Sequence, residues 1–192
     1  MTLQDLFISK VRVKILQSFL SNPNDPFHVR GLVRKTNEEI NAVRRELARM
    51  ENAGIVKKEH RGNRLYYWFR KDYIFYYDLL SLVVKTTELG KAIITNRNKL
   101  GKIKFAMLSG KFVRHLEREK DEVDFLIVGK VVLPELANIV REEESRRERE
   151  INYTIMTEEE FEFRKRRHDP FITKILLASR VMLIGDEQEM VK

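Results

Sequence analysis

Two sets of side chains in this chain have the types and spacing to do chemistry. In the first, Asn41, Arg45 and Arg49 share one face of a helical repeat, with Arg44 at its flank. Lys57, Lys58, Arg61 and Arg64 crowd the two short runs that flank Gly62-Asn63. Arg and Asn can meet base edges bidentately, and Arg and Lys neutralise phosphates. The second set is Glu122 and Asp124, two carboxylates at i and i+2 that a strand would point the same way.

Composition narrows what these sets can mean. The 192 residues allow one large domain or two small ones, and a net charge of +8 with a pI near 9.6 favours an anionic partner. The charge is uneven. Residues 1–99 hold 19 Lys and Arg against 10 Asp and Glu, whereas residues 100–192 hold 18 against 19. All the positive excess therefore lies in the half that carries the basic helix face. There are no cysteines, which excludes disulfides, zinc fingers and thiol chemistry, and the four His have no metal-ligand spacing. Asp5 and Lys10 interrupt the first apolar stretch, so it is no signal peptide, and no apolar run is long enough to span a membrane. A cytoplasmic protein is expected.

The elements that must position the basic set follow from periodicity. Leu6, Val13, Leu16 and Phe19 recur at helical spacing from Leu3 to Leu20, ending at Ser21-Asn22-Pro23. A second helix is expected from about Val29 to Lys35. Thr36 with Glu39 three residues on reads as a capping box opening a third helix, whose apolar stripe is Ile40, Val43, Leu47 and Met50 and whose end is Gly54. IVKKEH and RLYYWF are β-prone runs around a tight Arg61-Gly62-Asn63-Arg64 turn. Tyr66 to Phe69 have the residue types of a stacking platform for single strands, but strand alternation assigns alternate rings to the domain core. Glu38 and Glu39, at the third helix's start, suit its dipole and would face phosphates poorly.

The run ELARMENAGIVKKEHRGNRLYYWF resembles the recognition helix and wing of ArsR/MarR-like winged-helix transcriptional regulators, over about residues 5–72. That resemblance implies duplex DNA held by Asn41, Arg44, Arg45 and Arg49 on the helix and by Lys57, Lys58, Arg61 and Arg64 on the wing. Metal sensing in that family uses Cys or His clusters, which this chain lacks. Residues 73–95 are densely apolar at helical spacing (Ile74, Tyr77, Leu80, Val84), so 73–99 is expected to be a linking helix that dimerises, with a boundary at Asn96–Lys99.

Beyond the boundary, apolar strands alternate with helices: 103–110, 122–129, a helix over 133–147, 150–157, a helical stretch from Thr157, another near 171–178, and 180–185. Glu142–Glu144 and Arg146–Arg149 read as a solvated helix face with charge pairs. Residues 100–185 are similar to the minimal nucleotidyltransferase fold, in which a Gly-Ser turn precedes an Asp-x-Asp strand. The resemblance implies Mg²⁺ and a nucleotide held by Glu122, Asp124 and a third carboxylate, Glu150, with Gly110, Lys111 and Asp124 at the nucleotide. This chain departs from the pattern. Lys111 replaces the serine, and Glu122 replaces the first aspartate, moving its oxygens by over an ångström. A domain that has lost catalysis is expected, with no cofactor. Mg²⁺ and nucleotide enter only under the alternative of an active transferase targeted by its winged helix.

The expected fold class is α+β. Residues 1–72 form a winged helix-turn-helix of three helices and a β-hairpin, 73–99 the linking helix, and 100–192 an α/β nucleotidyltransferase-like domain. The expected function is transcriptional regulation as a homodimer on double-stranded DNA.

Overall fold

Ser9 sets the start of α1 (Lys10–Leu20), its hydroxyl accepting from the Arg12 backbone N–H at 3.2 Å. The computed structural model describes residues 7–192, and residues 7–9 are not helical. The helix expected from Leu3 is therefore described from Lys10, and Leu3 and Leu6 lie outside the described residues. The chain is mixed α and β and divides between Thr86 and Thr87 into two units.

In the first unit, β1 (Phe27–His28) leads into α2 (Val29–Thr36), capped by His28, whose Nδ1 accepts from Gly31 N–H at 2.9 Å. Thr36 does not cap the next helix. Its hydroxyl donates back to the Leu32 carbonyl at 2.7 Å inside α2, and Asn37 ends α2 in the left-handed region at φ 51°. Glu39 caps α3 (Ile40–Asn52) instead, its carboxylate accepting from Asn41 and Ala42 N–H at 2.8 and 2.9 Å. A long carboxylate reaching two N–H groups replaces the expected capping box, and those N–H groups hold the Glu39 carboxyl below its ordinary range. The strands β2 (Val56–Arg61) and β3 (Arg64–Phe69) pair antiparallel, and β1 adds to the far side of β3, giving the order β1-β3-β2. The two-residue β1 carries no sequence pattern of its own; it exists because Phe27 and His28 pair with Tyr67 and Tyr66.

The core of this unit joins Val13, Leu16 and Phe19 of α1 to Val43, Leu47 and Met50 of α3 and Phe69 of β3, all buried. Phe19 meets Phe27 edge-on at 5.4 Å and Phe69 at 6.4 Å. The expected single helix over 73–99 is broken into α4 (Tyr76–Thr86), α5 (Glu88–Thr95) and α6 (Arg97–Leu100). Thr87 is extended and Glu88 has φ 49°, so the helical hydrogen bonds cannot run through them. The buried stripe of α4 is Tyr76, Leu80 and Val83, while Ile74 and Tyr77 are exposed, so the expected stripe is rotated about the axis.

The second unit begins at α5 and α6 and continues through β4 (Gly101–Ser109), α7 (Gly110–Val113), β5 (Phe125–Val131), α8 (Leu133–Arg147), β6 (Tyr153–Met156), α9 (Glu158–Arg166), α10 (Pro170–Leu177), β7 (Arg180–Ile184) and α11 (Glu187–Val191). The sheet order is β6-β5-β4-β7, antiparallel except for β5 and β6, which α8 connects as a parallel crossover. Every residue of β5 from Phe125 to Gly129 is buried, as a strand covered on both faces requires. One face packs Phe105, Met107, Leu126 and Val128 against Phe161, Ile172 and Met190. Gly129, at φ 142°, lets β5 approach β4 closely, since a Cβ there would lie 2.3 Å from the Lys102 carbonyl oxygen.

Glu143 of α8 corrects the expectation of a solvated charged face. It is 1% exposed and accepts from Arg146 at 2.8 Å and Arg147 at 2.6 Å. Arg147 also donates to Glu88 at 3.0 Å and stacks over Phe112 at 4.2 Å, tying α5, α7 and α8 together. No helix among the described residues is long and apolar enough to cross a membrane.

Candidate functional site

α3 buries Val43, Leu47 and Met50, and its 3.6-residue repeat then presents Asn41, Arg44, Arg45 and Arg49 on the exposed side. The first three lie in the open. Arg49 is 64% exposed, but its guanidinium is spent on Glu46 at 2.7 Å. Glu46 itself is 5% exposed and also accepts from Arg12 at 2.8 Å, joining α1 to α3. Burial works against its charge, yet the two guanidiniums outweigh it and hold the carboxyl below the ordinary range. Arg49 thus helps to hold the buried Glu46 while its side chain stays largely exposed on this face.

On the β2–β3 hairpin, Lys57, Lys58, Arg61 and Arg64 are all exposed. Lys58 pairs with Glu51 at 2.9 Å, which raises its pKa, and Arg61 lies 3.6 Å from Glu59 and 4.7 Å over the Trp68 ring. Among the described residues Arg44, Arg45, Lys57 and Arg64 have no carboxylate at ion-pair distance. Arg30 and Arg34, exposed at i, i+4 on α2 and equally unpaired among the described residues, belong to this inventory, as does Asn52 at the end of the exposed α3 face. Their spacing was the signal in the sequence, masked by the stronger pattern of α3. An arrangement of unpaired guanidiniums and ammoniums at the surface can neutralise phosphates, and Asn41 with Arg44 and Arg45 can reach base edges from a helix.

The carboxylate set of the second unit behaves differently. Glu122 and Asp124 precede β5 rather than lying within it, and they share no cation closer than 4 Å. Both Glu122 oxygens accept from Lys111 Nζ at 2.7 Å, and one also accepts from Glu119 N–H at 2.8 Å. Those bonds hold the Glu122 carboxyl below its usual range. Asp124 is 1% exposed; it accepts from Arg118 Nε at 2.9 Å and Asn152 N–H at 3.1 Å, with Arg149 at 3.7 Å. Glu150 is exposed and outside this cluster, and no group of three His, Asp or Glu among the described residues could hold a metal. Hard cations need open oxygen donors at close range. Here the oxygens are engaged by four protein cations, so the donor set does not fit Mg²⁺.

Gly110 and Lys111 line a pocket of about 140 Å³ floored by Met107, Val123, Phe171 and Ile175, but Asp124 does not reach it. Of the expected nucleotide trio, Gly110 and Lys111 line this pocket, while Asp124 lies beside them, its backbone carbonyl accepting from Ser109 N–H at 2.9 Å and its carboxylate turned to Arg118. Gly110 answers a packing demand: its N–H donates to the Ser179 carbonyl at 2.6 Å, and a Cβ would lie 2.0 Å from the Ser179 hydroxyl. Of the cations that neutralise the carboxylates, Arg118 lies in the same loop as Glu122 and Asp124, whereas Arg149 and Lys174 come from a distant loop and α10, and no spacing in the sequence announces those two. No protein-family model matches this chain, and no curated protein and no solved structure is significantly similar to it.

Proposed function

We propose that this protein is a DNA-binding transcriptional regulator of the ArsR/MarR-like winged-helix type, acting in the cytoplasm as a homodimer. In this reading residues up to about 72 form the winged helix-turn-helix. α3 enters the major groove with Asn41, Arg44 and Arg45, and the β2–β3 hairpin is the wing, setting Lys57, Arg61 and Arg64 against the backbone. The second unit is a nucleotidyltransferase-like scaffold without catalysis, in keeping with carboxylates that its own cations occupy. The exposed Ile74, Phe75 and Tyr77 ahead of and within α4 offer apolar surface for a second copy.

The observation that carries this reading is the set of exposed cations on α3 and the hairpin that no carboxylate satisfies among the described residues. Such charges self-repel unless a polyanion takes them up. The test is a salt series of duplex DNA binding by the full chain and by an Arg44→Ala/Arg45→Ala variant. The native chain binds with a steep negative salt slope. The double variant binds about ten- to a hundred-fold more weakly and loses roughly one to two from the slope. Equal affinity and slope in the two proteins would overturn the assignment.

A further inference from the structure

The aromatic run of β3 divides between two faces, and only one of them belongs to the core. Tyr67 and Phe69 are buried. Tyr66 and Trp68 alternate with them and stand half-buried on the opposite face of the sheet. Because β3 is the central strand, its neighbours extend that outer face. His28 of β1 pairs with Tyr66, and its ring meets the tyrosine edge-on at 5.7 Å. Tyr66 and Trp68 follow one another at 6.3 Å. From β2, Lys57 stands opposite Trp68 and Arg61 opposite Arg64, so three cations share the face with the three rings, against one carboxylate, Glu59. The Arg61 guanidinium lies 4.7 Å over Trp68 and 6.0 Å from Tyr66.

From this geometry we infer that the outer face of the β1-β3-β2 sheet is a second nucleic-acid site, one that stacks the unpaired bases of a single strand. Every base has a π-face, so a row of rings binds single strands with little sequence preference, and flanking cations follow the phosphates. A sheet is a suited support, since alternate residues of its strands hold rings at fixed separation on one side. The guanidinium of Arg61 lies over Trp68 within the row and offers its own outer plane there, because bases stack on guanidinium planes as well as on rings. Its position over Trp68 keeps it ordered without a tight acid partner, Glu59 being 3.6 Å away. Bases inside a duplex cannot reach such a face, whereas Asn41, Arg44 and Arg45 on α3 are suited to the duplex. The two surfaces therefore select different forms of nucleic acid. His28 is fixed on the face by its capping bond to Gly31, with Nδ1 as acceptor.

Trp68 is the only tryptophan of the chain, so its fluorescence reports on this face alone. The experiment titrates the full-length protein with an oligothymidylate of about twenty nucleotides and, separately, with a duplex of the same length, following both Trp68 emission and the anisotropy of the labelled DNA. The expected result is strong quenching by the single strand and at most a slight change with the duplex, whose phosphates meet the wing cations beside Trp68 without a base stacking there. Tyr66→Leu then weakens single-strand binding by roughly ten-fold and leaves duplex binding unchanged, while Tyr66→Phe, which keeps the ring, retains both. Should Tyr66→Leu prove unstable by thermal melting, Trp68→Leu on the same face, followed by anisotropy alone, replaces it with the same expected selectivity. Single-strand binding without quenching, or with unaltered affinity in these variants, overturns the inference. Loss of duplex binding in Arg44→Ala/Arg45→Ala is scored separately, so the failure of one site is distinguishable from the failure of the other.

Discussion

The cations of α3 and the hairpin and those around Asp124 are similar in kind and opposite in circumstance. In the first unit Arg44, Arg45, Lys57 and Arg64 stand exposed with no carboxylate at ion-pair distance among the described residues. In the second, Lys111, Arg118, Arg149 and Lys174 each hold a carboxylate within the protein. The comparison teaches that the number of basic residues says little about binding. What matters is whether the fold has already supplied the counter-charge. A satisfied guanidinium stabilises the protein and has little left for a ligand, whereas an unsatisfied one contributes nothing to folding and is available outside.

Substitutions test that difference, and the largest effect belongs to the buried side. Glu143→Ala removes one of the two acid partners that the largely buried Arg147 has among the described residues, leaving Glu88, and should lower the stability of the chain by about 3–4 kcal/mol, measured by denaturant unfolding. Asp124→Ala should cost about 3 kcal/mol for the same reason, with no change in the response of the melting temperature to Mg²⁺. A gain in stability on that substitution would instead mark a strained metal-binding carboxylate and erase the contrast between the units.

Smaller effects sharpen the comparison within the first unit. Arg49→Ala removes one of two guanidiniums from Glu46 and should lower stability by about 1 kcal/mol while leaving duplex affinity within roughly three-fold of native. Arg45→Ala should do the reverse. If both variants lose affinity equally, Arg49 acts on DNA despite its internal partner. The smallest effect is a pH dependence. Glu46 has its carboxyl held below the unfolded value of 4.5, so its contribution is complete above that pH and is lost as pH falls through the folded value. Unfolding measured at about pH 6 and at about pH 4 should therefore show a loss of stability that Glu46→Gln reduces.

Much of the architecture could be read from residue order. The helix over Leu133–Arg147 and the strands ending in Ser109 and Ile184 follow from apolar runs whose period belongs to one element alone. The two runs around Gly62-Asn63 likewise announce a hairpin, because a tight turn and β-prone flanks are local properties. Other features were hidden because they depend on partners far along the chain. The cap of α3 passed to Glu39 when Thr36 turned back onto Leu32, and the two-residue β1 formed only against β3.

For the sites the same division holds. Residue order by itself determined that the positive excess falls in the first half, that Asn41 and Arg45 share a helix face with Arg44 at its flank, and that Tyr66 and Trp68 alternate with Tyr67 and Phe69. Each of these rests on local periodicity, which backbone geometry imposes. Only the tertiary structure decided which charges are free. Glu46 and Glu143 look like surface acids in the sequence and Asp124 like a metal-facing one, yet all three are buried: Arg12 meets Glu46 from 34 positions away, Asn152 meets Asp124 from 28 away, and Arg146 and Arg147 of its own helix meet Glu143. Electrostatic satisfaction is a property of distances in space, and a carboxylate that could have met a metal ion or a nucleotide meets arginine and lysine side chains instead.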